Sequence, residues 1–263
     1  MKKKEERKYF DREWKEMQAS LKAWFKKEKQ EDLHHFRVQV KKLRAFLILS
    51  ESNEQHPKMT KNFKPVRRIF KQAGEIRNAH MNIELGKAQQ VENDEFMNNQ
   101  HLMQVKATRK FRSKKIRFLE KLKSAHQKLK QELKPINDVH ISFFYENHLN
   151  QIAAMLAKLQ FDDELHNCRK QVKILIYNHK LVRTALDTGF NGDYLEQVQT
   201  AIGDWHDHVL AINLFSSDEA KDKTVVSNLQ KQDSELQKHI TDLTKDFYNR
   251  ATTVVELPVE QID

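Results

Sequence analysis

Residues that interrupt helices are scarce in this 263-residue chain, which contains only five glycines and four prolines. Long stretches rich in Lys, Glu, Gln and Leu lie between them, and these residues favour helix. Runs of β-branched residues bounded by turns, which would indicate strands, extend over no more than a few residues. The sequence therefore predicts an all-α fold, with enough length for one sizeable core or two modest ones.

Cysteine and long apolar runs are equally scarce. The single cysteine, Cys168, excludes an internal disulfide framework and is typical of a reducing compartment. The basic start of the chain lacks the apolar segment of a signal peptide, and no apolar run approaches the ~18 residues that a membrane-spanning helix needs. We therefore expect a cytoplasmic protein with no membrane partner, in which Cys168 packs in the core rather than acting as a nucleophile.

Negative charge is in shorter supply than positive charge. The chain has 47 Lys and Arg against 37 Asp and Glu, which gives a net charge of +10. Such an excess favours an anionic partner. The many cations of segment 106–130 are scattered around a predicted helix, so we expect an ordinary solvated face there.

Capping and turn residues divide the chain into eight predicted helices. Asp138 and either Asp162 or Asp163 are predicted N-caps, and Gly189 and Gly192 are expected to adopt positive φ in a turn. Pro135 separates four helices from four, so we expect a single domain over 1–263 made of two four-helix halves, 1–134 and 135–263. The predicted helices cover about 9–29, 31–51, 65–91, 95–133, 138–160, 163–187, 193–215 and 218–258.

Two motifs occur twice in the same order. The first is a His, Arg and Lys at positions 0, 3 and 7, and its two copies lie 132 residues apart: His34, Arg37 and Lys41, then His166, Arg169 and Lys173. The second is a five-residue stretch that starts at Gly74 and again at Gly203. This recurrence predicts an internal repeat and two halves related by a pseudo-twofold axis.

The helix predicted over 31–51 carries a narrow line of positive charge. At ~100° and 1.5 Å per residue, His34, Arg37, Lys41 and Arg44 share an arc of ~80° and extend ~15 Å. Apolar residues flank the arc on both sides, interrupted by Gln39 and Lys42, and no carboxylate lies on it. Partly desolvated like charges repel one another, so the line indicates a groove that receives an anion.

Further cations extend this line in both halves. Arg67, Lys71 and Arg77 share a helix face with Gly74, which costs about 1 kcal/mol of helix propensity relative to Ala and so indicates close approach of a ligand or a neighbouring helix. Lys180 extends the second copy, but Ile176 occupies the place that corresponds to Arg44. We therefore expect the second line to bind more weakly.

These motifs resemble the CHAD family, the conserved histidine α-helical domain, over nearly the whole chain. The resemblance implies two four-helix bundles whose basic residues line a surface and a central channel that bind inorganic polyphosphate. It is compatible with association with polyphosphate granules, which the sequence itself does not determine. The expected polyphosphate-binding residues are His34, Arg37, Lys41, Lys42, Arg44, Arg67, Lys71, Arg77, His166, Arg169, Lys173 and Lys180.

The line itself agrees with a linear polyanion. No GxxxxGK[ST] or GxGxxG stretch is present to cradle a single phosphate group. Arginines can contact successive phosphates with two hydrogen bonds each, and lysines act as point charges. We therefore expect a non-catalytic polyphosphate-binding module without cofactor or metal.

Two alternatives remain open at this stage. Nucleic acid is also a linear polyanion, although the arc has no aromatic residue on which a base could stack. His206 and Asp207 could belong to a metal-dependent phosphohydrolase, although such a site needs further ligands on other helices. The sequence does not define the oligomeric state.

Overall fold

A computed structural model describes residues 3–52, 59–91, 93–217 and 220–253, and these residues form helices almost throughout. They contain eleven α-helices, one short 3₁₀ helix at Arg183–Ala185 and no strand, so the prediction of an all-α fold is confirmed. None of the helices within these ranges has the length and apolarity to cross a membrane. The α-helices are α1 (Lys3–Lys27), α2 (Gln30–Glu51), α3 (Met59–Asn62), α4 (Lys64–Ala88), α5 (Asp94–Arg112), α6 (Lys115–Glu132), α7 (Asp138–Ala157), α8 (Asp163–Val182), α9 (Gly192–Ser216), α10 (Lys223–Leu243) and α11 (Phe247–Thr252).

The long helix predicted over 95–133 was wrong, because the segment forms two helices. The chain turns at Ser113 and Lys114, where the Lys114 amide donates to the carbonyl of Phe111 at 3.2 Å. Phe111 and Phe118 are both buried, with ring centroids 5.0 Å apart. In a straight helix these two residues would share a face but lie about 10 Å apart along the axis, whereas the turn lets their rings touch.

The last predicted helix is likewise divided, into α10 and α11. Asp222 caps α10 by accepting hydrogen bonds from the amides of Thr224 and Val225, both at 3.0 Å. Asp218, one of the predicted starts, lies outside the described residues. Asp246 separates α10 from α11 in a left-handed conformation with φ of 53°.

The predicted caps were correct in one case and displaced in another. Asp162 caps α8 by accepting from the Glu164 amide at 2.7 Å. Asn137 rather than Asp138 caps α7, accepting from the His140 amide at 2.8 Å. A connection does precede α9 where it was predicted, but the positive φ expected of Gly189 and Gly192 was wrong, since no described glycine has positive φ. The Asn191 amide instead donates to the carbonyl of Ala251 at 2.8 Å, which holds that connection.

Two large apolar clusters form the core, and helices α2 and α8 lie between them. The first cluster draws its residues from α1 to α6 and the second draws almost all of its residues from position 136 onward. Helices α2 and α8 pack against each other. The fully buried amide of Asn178 on α8 donates to the carbonyl of Ala45 on α2 at 3.0 Å. This crossing places the two cation-bearing helices at the centre of the molecule.

A third apolar cluster joins the two halves at a second place. Phe96 at the start of α5 packs against Phe215 at the end of α9, with ring centroids 6.3 Å apart. Ala211, Val225 and Leu229 complete the cluster. The α4–α5 hairpin therefore meets the α9–α10 hairpin at this cluster.

Candidate anion-binding site

The cationic line of α2 has the orientation that the helical spacing predicts. Phe36, Val40 and Leu43 are buried in the first core cluster. His34, Lys41 and Arg44 are exposed and Arg37 is half-buried. The apolar stripe thus fixes the helix, and the cations lie on the side that the core leaves open.

Arg37 explains the glycine in the middle of α4. Its guanidinium donates from Nη1 to the carbonyl oxygen of Phe70 at 2.9 Å, and its Cζ lies 4.1 Å from the centre of the Phe70 ring. A Cβ atom on Gly74 would lie 2.8 Å from that Nη1. The close approach expected at Gly74 is therefore made by an arginine side chain of the neighbouring helix.

The second half contains a contact of the same kind between α8 and α9. Arg169 donates from Nε to the carbonyl oxygen of Gln199 at 2.9 Å, and a Cβ atom on Gly203 would lie 2.6 Å from the Cζ of Arg169. In both halves the accepting carbonyl precedes the glycine by four residues, which is one helical turn. Each glycine lets a guanidinium lie across the helix.

Lys41 lies where the two lines meet. Burial, together with the charges of Lys173, Arg37, Arg169 and Arg77, lowers its pKa to about 8. The side chain is nevertheless accessible to solvent, so Lys41 lies in an open recess that is crowded by protein and cations rather than in a closed cavity. Cations of α2, α4 and α8 therefore act on one space.

The first-half cations of this recess have no acidic partners. Burial and the neighbouring Arg77 lower the pKa of Arg37 to about 10. Burial and Arg67 lower the pKa of Arg44. Across the described part of the chain, no ion pair joins any of these arginines or Lys41 to a carboxylate. The first line is thus both crowded and unneutralised, a state that an anion would relieve.

The second line is partly neutralised. Burial and Arg169 lower the pKa of Lys173, while Glu196 and Asp207 oppose that shift. Acidic groups thus act on Lys173, whereas none acts on the pKa of Arg37, Lys41 or Arg44. This agrees in direction with the expectation of weaker binding there.

The two repeated histidines differ in their surroundings. The ring of His166 stacks on that of His206, with centroids 3.9 Å apart, and burial together with His206 lowers the pKa of His166 to about 4. Burial also lowers the pKa of His34, with Arg77 acting in the same direction and Glu31 against it. Both rings are therefore largely neutral at pH 7.

The His206–Asp207 pair does not extend into a larger cluster of potential metal ligands. The His206 Nδ1 lies 3.6 Å from a carboxylate oxygen of Asp207. Among the described residues, no group of three or more His, Cys, Asp or Glu side chains is arranged to hold a metal ion. Cys168 is fully buried, and burial raises the pKa of its thiol to about 12.

A groove of about 670 Å³ continues from Lys41 and Arg44 along α4. It includes Arg67 and Lys71, as the sequence predicted, and also Lys61, Lys64 and Arg68, which the sequence analysis missed. Their spacing was a usable signal, because Lys64, Arg68 and Lys71 lie at i, i+4 and i+7 on one helix face. Lys42 and Lys180 do not line this groove. Lys42 faces about 100° away from Lys41, and Lys180 is exposed two turns beyond Lys173.

The helical fold and the recess define a class of all-α proteins with a basic centre. The CHAD domain family matches residues 8–216, so the chain belongs to that family. The crystal structure of the CHAD domain from the plant Ricinus communis is similar in fold, with a TM-score of 0.63 over 97% of this chain and 92% of that chain, at 14% sequence identity. No curated protein matches the chain.

Proposed function

We propose that the protein binds inorganic polyphosphate, without catalysis, in the recess between α2, α4 and α8. The observation that carries this proposal is the convergence of Arg37, Lys41, Arg77, Arg169 and Lys173 on one solvent-accessible space. Cations held this close are costly without a counter-anion, and a bound polyanion would restore the ordinary protonation of Lys41. Membership of the CHAD family supports the same ligand.

The shape of the cationic surface favours a linear chain over a single phosphate. The cations continue from the recess into the groove along α4, over several turns of helix. A phosphate monoanion needs only a few donors at one point, commonly at a helix N-terminus. A polyphosphate chain presents a charge at every unit and can use the whole row.

One observation favours polyphosphate over nucleic acid. The aromatic residue that lines the groove, Phe70, has its ring covered by the guanidinium of Arg37. Single-strand binders instead leave aromatic faces open, because bases stack on them. We therefore expect the protein to prefer polyphosphate to single-stranded DNA at equal salt.

Charge reversal tests the site. The double variant Lys41→Glu, Arg44→Glu should lower the affinity for long-chain polyphosphate about a hundredfold or more. The two new carboxylates would repel the polyanion in the recess. The slope of log affinity against log salt should flatten by about 1.4–1.8, which corresponds to two lost phosphate contacts. Titration calorimetry at several salt concentrations measures both quantities.

The matched control reverses two exposed lysines of α10, Lys231→Glu and Lys238→Glu, and so changes net charge equally. This control should lower the affinity for polyphosphate less than tenfold. The double variant Arg169→Glu, Lys173→Glu should lose more affinity than the control and less than the Lys41→Glu, Arg44→Glu variant, because Glu196 and Asp207 already weaken the second line. Equal losses in all three variants would mean that bulk charge, not a site, attracts the ligand.

Release of phosphate by the pure protein with Mg²⁺ or Mn²⁺, abolished by His206→Ala, would contradict the non-catalytic proposal.

A further inference from the structure

A second basic surface lies on the flank of the first half, away from the recess. Two further grooves, of about 330 Å³ and 180 Å³, run between the N-terminal part of α4 and helix α6. They are lined by seven cations from both sides: Lys61, Lys64, Arg68, Lys114, Arg117, Lys121 and Lys128. The sequence pattern predicted an ordinary solvated face for α6, and the structure instead sets the cations of this helix opposite those of α4.

The flank grooves are continuous with the groove that leads from Lys41. Lys61 and Lys64 line both the Lys41 groove and the larger flank groove. Arg68 lines all three grooves. One uninterrupted path therefore runs from the recess, past Arg68, to α6. Along α6, the path from Arg117 to Lys128 extends about 16 Å at 1.5 Å per residue.

The cations that line this path have no acidic residue among them. No Asp or Glu side chain lines any of the three grooves, although the lining residue Asn62 donates to Glu132 at 2.6 Å. Two other cations of α5 and α6 are paired, Arg112 with Glu28 and Lys130 with Asp11, both at 2.6 Å. The path therefore presents positive charge that favours an anionic ligand.

The fold does not require these cations. Helix α6 packs on the core through Phe118, Leu122, Ala125 and Leu129, and its cations lie on the face that this stripe leaves open. The flank cations have no ion pairs to carboxylates within the described residues. Changing these cations therefore breaks no described ion pair to a carboxylate.

We propose that the flank between α4 and α6 binds a second segment of the same polyphosphate chain that occupies the recess. This inference rests on the proposed function and specifies which lengths of polyphosphate the protein prefers. A short chain fills the recess alone, whereas a long chain continues past Arg68 and adds the contacts of α6. The protein consequently selects long polyphosphate over short polyphosphate.

Chain-length dependence tests the inference. Unlabelled polyphosphates of graded length, from tripolyphosphate upward, compete with a fluorescent long chain for the wild-type protein and for Arg117→Glu, Lys121→Glu. The wild-type affinity should rise with chain length until the flank is filled. The flank variant should reach its plateau at a shorter length and bind the longest chains about tenfold more weakly, while short chains bind as to wild type. The Lys231→Glu, Lys238→Glu control should follow the wild-type curve.

The outcomes separate this inference from the proposed function. If the flank variant follows the wild-type curve, or loses affinity for short and long chains equally, the flank binds no second segment of the chain and this inference is wrong. The proposed function of the recess would still stand. If the flank variant loses affinity for duplex DNA but binds long polyphosphate as the wild type does, the flank is a nucleic-acid surface and the inference is wrong. If the wild-type protein binds no polyphosphate of any length, the proposed function itself fails.

Discussion

At the scale of single residues, the surroundings of Lys41 change the chemistry of its amine. Its amine would ordinarily have a pKa of 10.5, and burial together with four nearby cations lowers that value to about 8. The unfolded chain therefore binds this proton more tightly than the folded protein does. The resulting cost in stability is fully present below pH 8 and fades as the pH rises from about 8 to 10.5.

The lowered pKa of Lys41 predicts proton-linked binding. A polyanion raises this pKa, so binding near pH 8 should take up protons, and affinity should fall as the pH rises through 8. Calorimetry in buffers of different ionisation enthalpy measures the uptake. Lys41→Arg keeps the charge at every pH tested and should reduce the uptake and flatten the pH dependence. An unchanged uptake in this variant would show that Lys41 does not contact the ligand.

At the scale of helices, the contact that positions the site is made by Arg37 of α2, whose guanidinium lies across α4 at Gly74. Gly74→Ala should improve helix propensity by about 1 kcal/mol and displace the Arg37 guanidinium from the Phe70 carbonyl, a charged hydrogen bond of about 1.5–3 kcal/mol. We expect a net destabilisation of about 1 kcal/mol in chemical denaturation. Polyphosphate affinity should fall several-fold, because the guanidinium loses its fixed position.

Gly203→Ala provides the comparison in the second half, where the added Cβ would crowd the Arg169 guanidinium. It should destabilise the protein by a similar amount and affect polyphosphate affinity less, since acidic groups lie near that line. A more stable Gly74→Ala protein with unchanged affinity would mean that Arg37 is not held in place by α4.

At the scale of the whole molecule, the two halves are joined by the α2–α8 crossing and by the cluster around Phe96 and Phe215. Phe96 is 1% exposed at this second contact. Phe96→Ala should cost about 3–5 kcal/mol in the free energy of unfolding. It should also weaken polyphosphate binding, because α4 and α9 are no longer held together at their ends.

Phe143→Ala on α7 is the matched control, since the Phe143 side chain is 66% exposed. It should change stability by no more than about 0.5 kcal/mol and leave binding unchanged. A Phe96→Ala protein that unfolds at the same denaturant concentration as this control would show that the second contact contributes nothing to the stability of the molecule.

Local sequence determined most of the helices and the direction of the α2 cations. The scarcity of glycine and proline, the apolar periodicity of 31–51 and the Asp162 cap act within a few residues, so they can be read without tertiary structure. Gly74 could be recognised as a point of close approach for the same reason. Its partner could not be identified, because Arg37 lies on another helix.

Tertiary structure alone decided where separate charges meet. The break at Ser113 brings the rings of Phe111 and Phe118 into contact, and the cations of α6 lie opposite Lys64 and Arg68. The approach of Lys173 to Lys41 depends on the crossing of α2 and α8, more than a hundred residues apart in sequence. Helical periodicity specifies which way a side chain faces on its own helix. The charge that it meets there is set by the long-range packing of the cores.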